Sequence, residues 1–177
     1  MVNDLEQLAD QIRESFERKN RIRDEALTQS RTLIRHAARS IRAIHREDAD
    51  LAREHLNEAD RLAADLRQGL AEDPDLYFSG YAQDALKEYC EAHLTLAIIT
   101  GQSWPSPDDL QVEYATYLNG MSEVVGELRR RIMDIMREGH SQEVERLLDV
   151  MDDIYAQLVT MDFPDALTYG LRRRTDI

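Results

Sequence analysis

Asp84, Glu88 and Glu91 stand at spacings of four and three in the stretch QDALKEYCEAHL (83–94). On a helix that spacing places the three carboxylates on one face. Glu123 and Glu127 repeat the pattern at i, i+4 farther along. Like charges this close repel one another, so each set either faces water or shares a cation. Leu86, Tyr89 and Ala92 surround the first set, and Met121, Val124 and Leu128 the second. Two facing helices that each supply paired carboxylates can build an all-oxygen cage for a hard divalent ion such as Mg²⁺ or Mn²⁺. Such an ion activates a water and neutralises charge on a phosphoryl group. The competing explanation is solvation, because 35 Asp and Glu in 177 residues produce such pairs often by chance. A di-iron centre of the ferritin type is disfavoured, since Glu-x-x-His is absent and His93 follows Glu91 by two.

Arginine placement is the second signal. Arg31, Arg35, Arg39, Arg42 and Arg46 step by 4, 4, 3 and 4, which keeps them within an arc of roughly 80° on a helix. A guanidinium fork bonds phosphate bidentately, so the stripe suits a nucleic-acid backbone. Pairing with Glu54, Glu58 and Asp65 on the next helix explains it equally well. Arg129-Arg130-Arg131 lies just beyond Glu127, and Arg172-Arg173-Arg174 comes near the end. A basic triplet on a helix points three ways, so one or two members at most serve any one site. Arg35, Arg39, Arg42, Arg46 and Arg130 are the candidate nucleic-acid contacts.

The other reactive side chains are less informative. His36, His45, His55, His93 and His140 show no ligand spacing, although His93, beside the acidic face, is a candidate partner for it. Cys90 falls on the other side of its helix from Glu88 and reads as packed. It is the only cysteine, which excludes an intramolecular disulfide and a Cys-rich zinc site. Gly120 and Gly126 sit mid-helix, where close contact between helices is the expected reason for them.

The elements that must position these groups are helices throughout. Leu5, Leu8, Ile12 and Phe16, then Ile22, Ala26, Leu33, Ala37, Ile41 and Ile44, recur at helical spacing and predict one helix over 3–46. At ~1.5 Å per residue it would be roughly 65 Å long, which points to an extended bundle or an assembly. A second helix is expected over 48–70. Asp73-Pro74 reads as the start of a third over 75–100. Ser106-Pro107 opens a fourth that runs to Glu138, Ser141 caps a fifth over 142–161, and Phe163-Pro164-Asp165 opens a sixth. No strand pattern, fixed-period repeat or low-complexity segment is present. The reading is an all-α, single-domain bundle over 1–177.

Composition narrows the class further. The formal net charge is −13, and Lys19 and Lys87 are the only lysines. An acidic, lysine-poor surface is that expected of a protein solvated in high salt, so a halophilic source is the expectation. Net acidity argues against a broadly basic nucleic-acid binder but leaves room for a local basic groove. The N-terminus lacks an apolar signal-like run, and no apolar stretch approaches the ~18 residues of a membrane span. A soluble, cytoplasmic protein is therefore expected.

Taken in order, SRTLIRHAARSIRAIHR (30–46), DALKEYCEA (84–92), YLNGMSEVVGELRR (117–130) and FPDALTYGLRRRTD (163–176) resemble the translin/TRAX family. The resemblance implies an all-α protomer of six to seven helices with a very long first helix, assembled into a hollow, octamer-like homo-oligomeric shell. It implies binding of single-stranded RNA and single-stranded DNA. TRAX-type members cleave RNA with carboxylates that hold Mg²⁺, whereas translin-type members bind without cutting. Carried over by motif, the catalytic and metal-holding acids are Glu88, Glu91 and Glu123, with Glu127 as a fourth metal-site acid and Asp84 a bystander. Two departures stand out. Glu123 replaces the aspartate of the TRAX pattern, and one methylene moves a carboxylate by about 1 Å, enough to disturb geometry. The long final helix of the family also has no counterpart before Ile177. The leading expectation is a Mg²⁺- or Mn²⁺-dependent endoribonuclease acting on single-stranded RNA. The alternatives are a non-catalytic nucleic-acid-binding protein and an all-α nucleoside-triphosphate pyrophosphatase, which also uses Glu-x-x-Glu.

Overall fold

The computed structural model describes residues 2–137, 139 and 141–175, so Glu138, His140 and Ile177 lie outside the described residues. The elements are α1 (Val2–His45), α2 (Ala49–Gly69), α3 (Pro74–Tyr77), α4 (Gly80–Ile99), α5 (Pro107–Leu110), α6 (Tyr114–Met136), α7 (Gln142–Leu158), α8 (Asp165–Thr168) and α9 (Leu171–Thr175). Among the described residues there is no strand, and no helix is long and apolar enough to cross a membrane.

The core is built around α4, which is wrapped by α1, α2 and α6 and is therefore apolar on nearly every side. Ala82, Ala85, Leu86, Cys90, Leu94 and Ile98 are all essentially inaccessible. α7 packs on the far side of α6, and α8 and α9 fold back onto α6. α1 divides in two. From Ala26 onward Leu33, Ala37, Ile41 and Ile44 are buried, whereas Leu5, Leu8, Ile12 and Phe16 are exposed. Arg18 and Lys19 tether the stretch between the halves through bonds of 2.7 Å to Asp73 and Asp75.

Three expected helices are interrupted. Asp73 does stand at the start of α3, but its carboxylate takes the Arg18 guanidinium at two points and caps nothing. The helix expected over 75–100 then breaks at Phe78–Ser79. Ser79 is extended, its hydroxyl donates to Leu76 O, and the Gln83 amide donates to Tyr77 O, so the last carbonyls of α3 find side-chain donors. Ser106 and Asp109 form the reciprocal cap that Ser-Pro-Asp-Asp suggests, yet α5 is a single turn. Gln111 closes it in a left-handed conformation (φ 53°), and α6 starts afresh at Tyr114. Near the end, left-handed Tyr169 (φ 52°) and Gly170 (φ 80°) separate α8 from α9.

At Gly120 α6 comes close to α4. A Cβ there would stand 2.9 Å from the Lys87 carbonyl oxygen and 2.9 Å from the Cys90 Cβ. The expected packing role holds for this glycine and not for Gly126, around which a Cβ would meet open space.

Candidate functional site

The approach at Gly120 brings the acidic face of α4 against that of α6, one turn before Glu123. Glu88 and Glu91 from α4 meet Glu123 from α6, and each offers an oxygen within 4.8 Å of the other two. Glu91 lies deepest, 7% exposed. Among the described residues its carboxylate receives no hydrogen bond and makes no ion pair. Burial, and then the charges of Glu88, Glu123 and Glu127, push it up to about 8, with Lys87 only partly opposing them. With no cation bound, Glu91 therefore carries a proton at neutral pH.

The other two acids are already neutralised from within the chain. Lys87 Nζ lies 2.5 Å from Glu123 Oε2 and 3.1 Å from Glu88 Oε1. Burial pulls the lysine down, but its bond to Glu123 and the charges of Glu88 and Glu123 outweigh that and hold it above its ordinary range. Arg174, from α9, contacts Glu123 Oε1. Neither cation was legible in the sequence. Lys87, four residues before Glu91, lies on that face, but its tie to Glu123 spans 36 residues, and Arg174 arrives only because α9 folds back.

Glu127 is turned away from the trio. Its Oε2 lies 2.5 Å from His45 Nε2 at the end of α1, and 3.7 Å from Arg130 Nη1. The bond to His45 outweighs burial and holds Glu127 below the usual carboxylate range. The expected fourth carboxylate thus reaches Glu91 through its charge and not as a neighbour in the cluster. His45 gives no sequence signal, because its partner is 82 residues away.

His93 does not join the acidic face. Two residues after Glu91 is about 200° around the helix, and there its Nε2 lies 2.9 Å from Asp60 Oδ1, which also accepts from the Tyr89 hydroxyl at 2.7 Å. Cys90 is buried, which raises its thiol to about 12, as a packed cysteine requires. Asp84 is exposed one turn from the trio, outside it.

The arginine stripe lies along the outer face of the packed half of α1, with Arg31, Arg35, Arg39 and Arg42 exposed on it and Arg46 exposed in the turn just past its end. Its alternative partners are engaged elsewhere or stay apart. Glu58 and Asp65 pair with Arg61, and among the described residues none of the five arginines forms an ion pair. Arg35 donates to Thr32 Oγ1. His45 follows Arg42 by three and binds Glu127, so the end of the stripe lies one helical turn from the partner of that carboxylate.

No protein-family model matches the chain. It is 34% identical over 161 residues to an uncharacterised protein of Methanocaldococcus jannaschii, covering 90% of this chain and 71% of that one. Among solved structures it is similar to AfC3PO in complex with duplex RNA, with TM-score 0.87, 34% identity and coverage of 94% and 86% of the two chains. The crystal structure of AfC3PO matches with TM-score 0.86 and 33% identity, over 94% and 87% of the chains. Apo-NeC3PO matches with TM-score 0.84 over the same shares, but at 23% identity it supports the fold alone.

Proposed function

Because the chain belongs to the C3PO family of translin/TRAX-type proteins, we propose that it is a metal-dependent endoribonuclease that cuts single-stranded RNA within a homo-oligomeric shell. The observation that carries this reading is Glu91, a buried carboxylate that has no hydrogen-bond or ion-pair partner among the described residues and converges with Glu88 of its own helix and Glu123 of α6. An unpaired buried acid is costly unless something compensates it. Three converging carboxylates form the all-oxygen donor set that suits Mg²⁺ or Mn²⁺.

In this reading Glu88, Glu91 and Glu123 hold the ion. Once bound, it supplies water activation and relief of charge on the phosphoryl group. The chain's own residues do the rest. Glu91 would hold the cation as a carboxylate, its proton passing to solvent. Glu127, fixed by His45, keeps a negative charge beside the trio without entering it. Arg35, Arg39, Arg42, Arg46 and Arg130 line the approach and bind the RNA backbone by bidentate contacts. Single-stranded DNA offers the same phosphates and is a second expected ligand. A cytoplasmic location belongs to the same proposal.

The test is Glu91→Ala, which should abolish Mg²⁺-dependent cleavage of single-stranded RNA while leaving RNA binding intact. Cleavage that persists in this variant would overturn the assignment. One observation favours a second reading, RNA binding without cutting. Glu123 stands where TRAX-type members have aspartate, and its longer arm ends on Lys87 and Arg174. That reading requires salt-sensitive RNA binding and no turnover with any divalent metal, in assays that extend to high salt.

A further inference from the structure

Between α4 and α6 the positive charge comes from the chain itself. Lys87 joins a carboxylate of each helix, Glu88 on its own and Glu123 on the other, and its side chain is only 11% exposed. Glu91, the third member of the trio, makes no such bond. Arg174 already contacts Glu123 Oε1, so an ion held by all three acids must compete with Lys87 for the oxygens it holds, Glu123 Oε2 first. Two cations sharing those oxygens would lie within a few ångströms of each other, where their repulsion is severe at low dielectric.

Lys87 also has somewhere to go. It borders a cavity of about 140 Å³ whose wall includes Phe78, Gln83, Asp84 and Asn119. Asp84 is exposed there and, among the described residues, forms no ion pair. It precedes Lys87 by three residues, the spacing of a helical ion pair.

We propose that Lys87 is a built-in counter-ion that is exchanged for the divalent cation. Before metal arrives, its ammonium holds Glu88 and Glu123 together across the two helices. When metal enters, the ammonium swings to Asp84 and frees Glu88 Oε1 and Glu123 Oε2 to coordinate, with Arg174 still on Glu123 Oε1. This makes Lys87 a positioning residue whose displacement sets the threshold for metal loading. The proposal rests on reading Glu88, Glu91 and Glu123 as the metal site.

Mn²⁺ binding to the full chain, without RNA, tests it, measured by the electron paramagnetic resonance of free Mn²⁺ and by the shift in melting temperature that Mn²⁺ produces. Lys87→Met keeps the buried stem and removes the charge, while Lys87→Arg keeps the charge. With no charge-assisted bonds left to break, Lys87→Met should bind Mn²⁺ about 10- to 100-fold more tightly than the parent. Lys87→Arg should stay near the parent value, and Asp84→Asn should bind about twofold more weakly. The melting shift serves even when Lys87→Met is weakly folded without metal, since Mn²⁺ should then raise its melting temperature by more than the parent's. Equal affinity in the parent and Lys87→Met would overturn the exchange while leaving the metal site standing. No Mn²⁺ binding in either would overturn the metal site itself, and the exchange with it. Binding to Lys87→Met alone would support the exchange in its strongest form.

Discussion

His45 Nε2 and Glu127 Oε2 stand 2.5 Å apart, and this contact pins the last turn of α1 to the middle of α6. His45 is 3% exposed at its side chain, so the bond is sheltered. It ties the helix that carries the arginine stripe to the helix that carries Glu123 and Glu127.

His45→Ala should therefore leave a half-buried Glu127 without its partner. The expected cost is about 1–3 kcal/mol of folding stability, read from chemical denaturation. The Glu127 carboxyl should also titrate at higher pH than in the parent, which nuclear magnetic resonance of the side chain can follow.

Glu91 should make the metal-free protein less stable as pH rises. Its folded value is raised to about 8, mainly by burial, from an ordinary 4.5. Between those values the folded state binds the proton more tightly than the unfolded chain, so stability falls across that window and is greatest at its acidic end. Glu91→Gln should flatten the slope. Urea denaturation with chelator present, at about pH 5 and about pH 8, would show it. An unchanged slope in the variant would assign the pH dependence to other groups.

The two mid-helix glycines of α6 should respond in opposite directions. At Gly120→Ala the new methyl meets the Lys87 backbone and Cys90 at 2.9 Å, so α6 must move off α4. The expected loss is about 1–3 kcal/mol, together with weaker Mn²⁺ binding as Glu123 draws away. At Gly126→Ala the methyl meets open space, and the helix should gain about 1 kcal/mol. Thermal melts of both variants, with and without Mn²⁺, check the contrast.

Arg42→Ala and Arg46→Ala should weaken RNA binding without regard to sequence. For a single strand, each lost phosphate contact should lower the slope of log K against log salt by about 0.7. Binding isotherms over a range of salt would measure it. A slope that does not change would remove the stripe from the RNA path.

Under the proposed homo-oligomeric assembly, Leu5, Leu8, Ile12 and Phe16 should be covered by other copies. The chain exposes 10847 Å², against roughly 8,800 Å² expected for a compact monomer of its mass. The excess, about 2,000 Å² on one chain, is more than the ~800 Å² that each partner buries in a standard interface. Ile12→Glu combined with Phe16→Glu should lower the mass measured by analytical ultracentrifugation.

The sequence by itself determined what is local. Spacings of three and four placed Glu88 with Glu91, set four arginines on one face of α1 with Arg46 just past its end, and gave the long first helix nearly residue for residue. Those features depend on the 3.6-residue turn, which acts between neighbours in the chain. Tertiary structure decided which faces meet. That Glu123 joins the trio while Glu127, one turn later, turns to His45 depends on the close approach at Gly120. Glu88 and Glu123 share Lys87 because two helices bring three side chains to one place. His93 goes to Asp60 because α2 lies on that side of α4. The breaks at Ser79 and Gln111 turn on backbone angles and carbonyl partners that periodicity does not encode. A helical face is a property of one segment, whereas an ion pair or a cage is a distance between two segments. That distance exists only once the chain has packed.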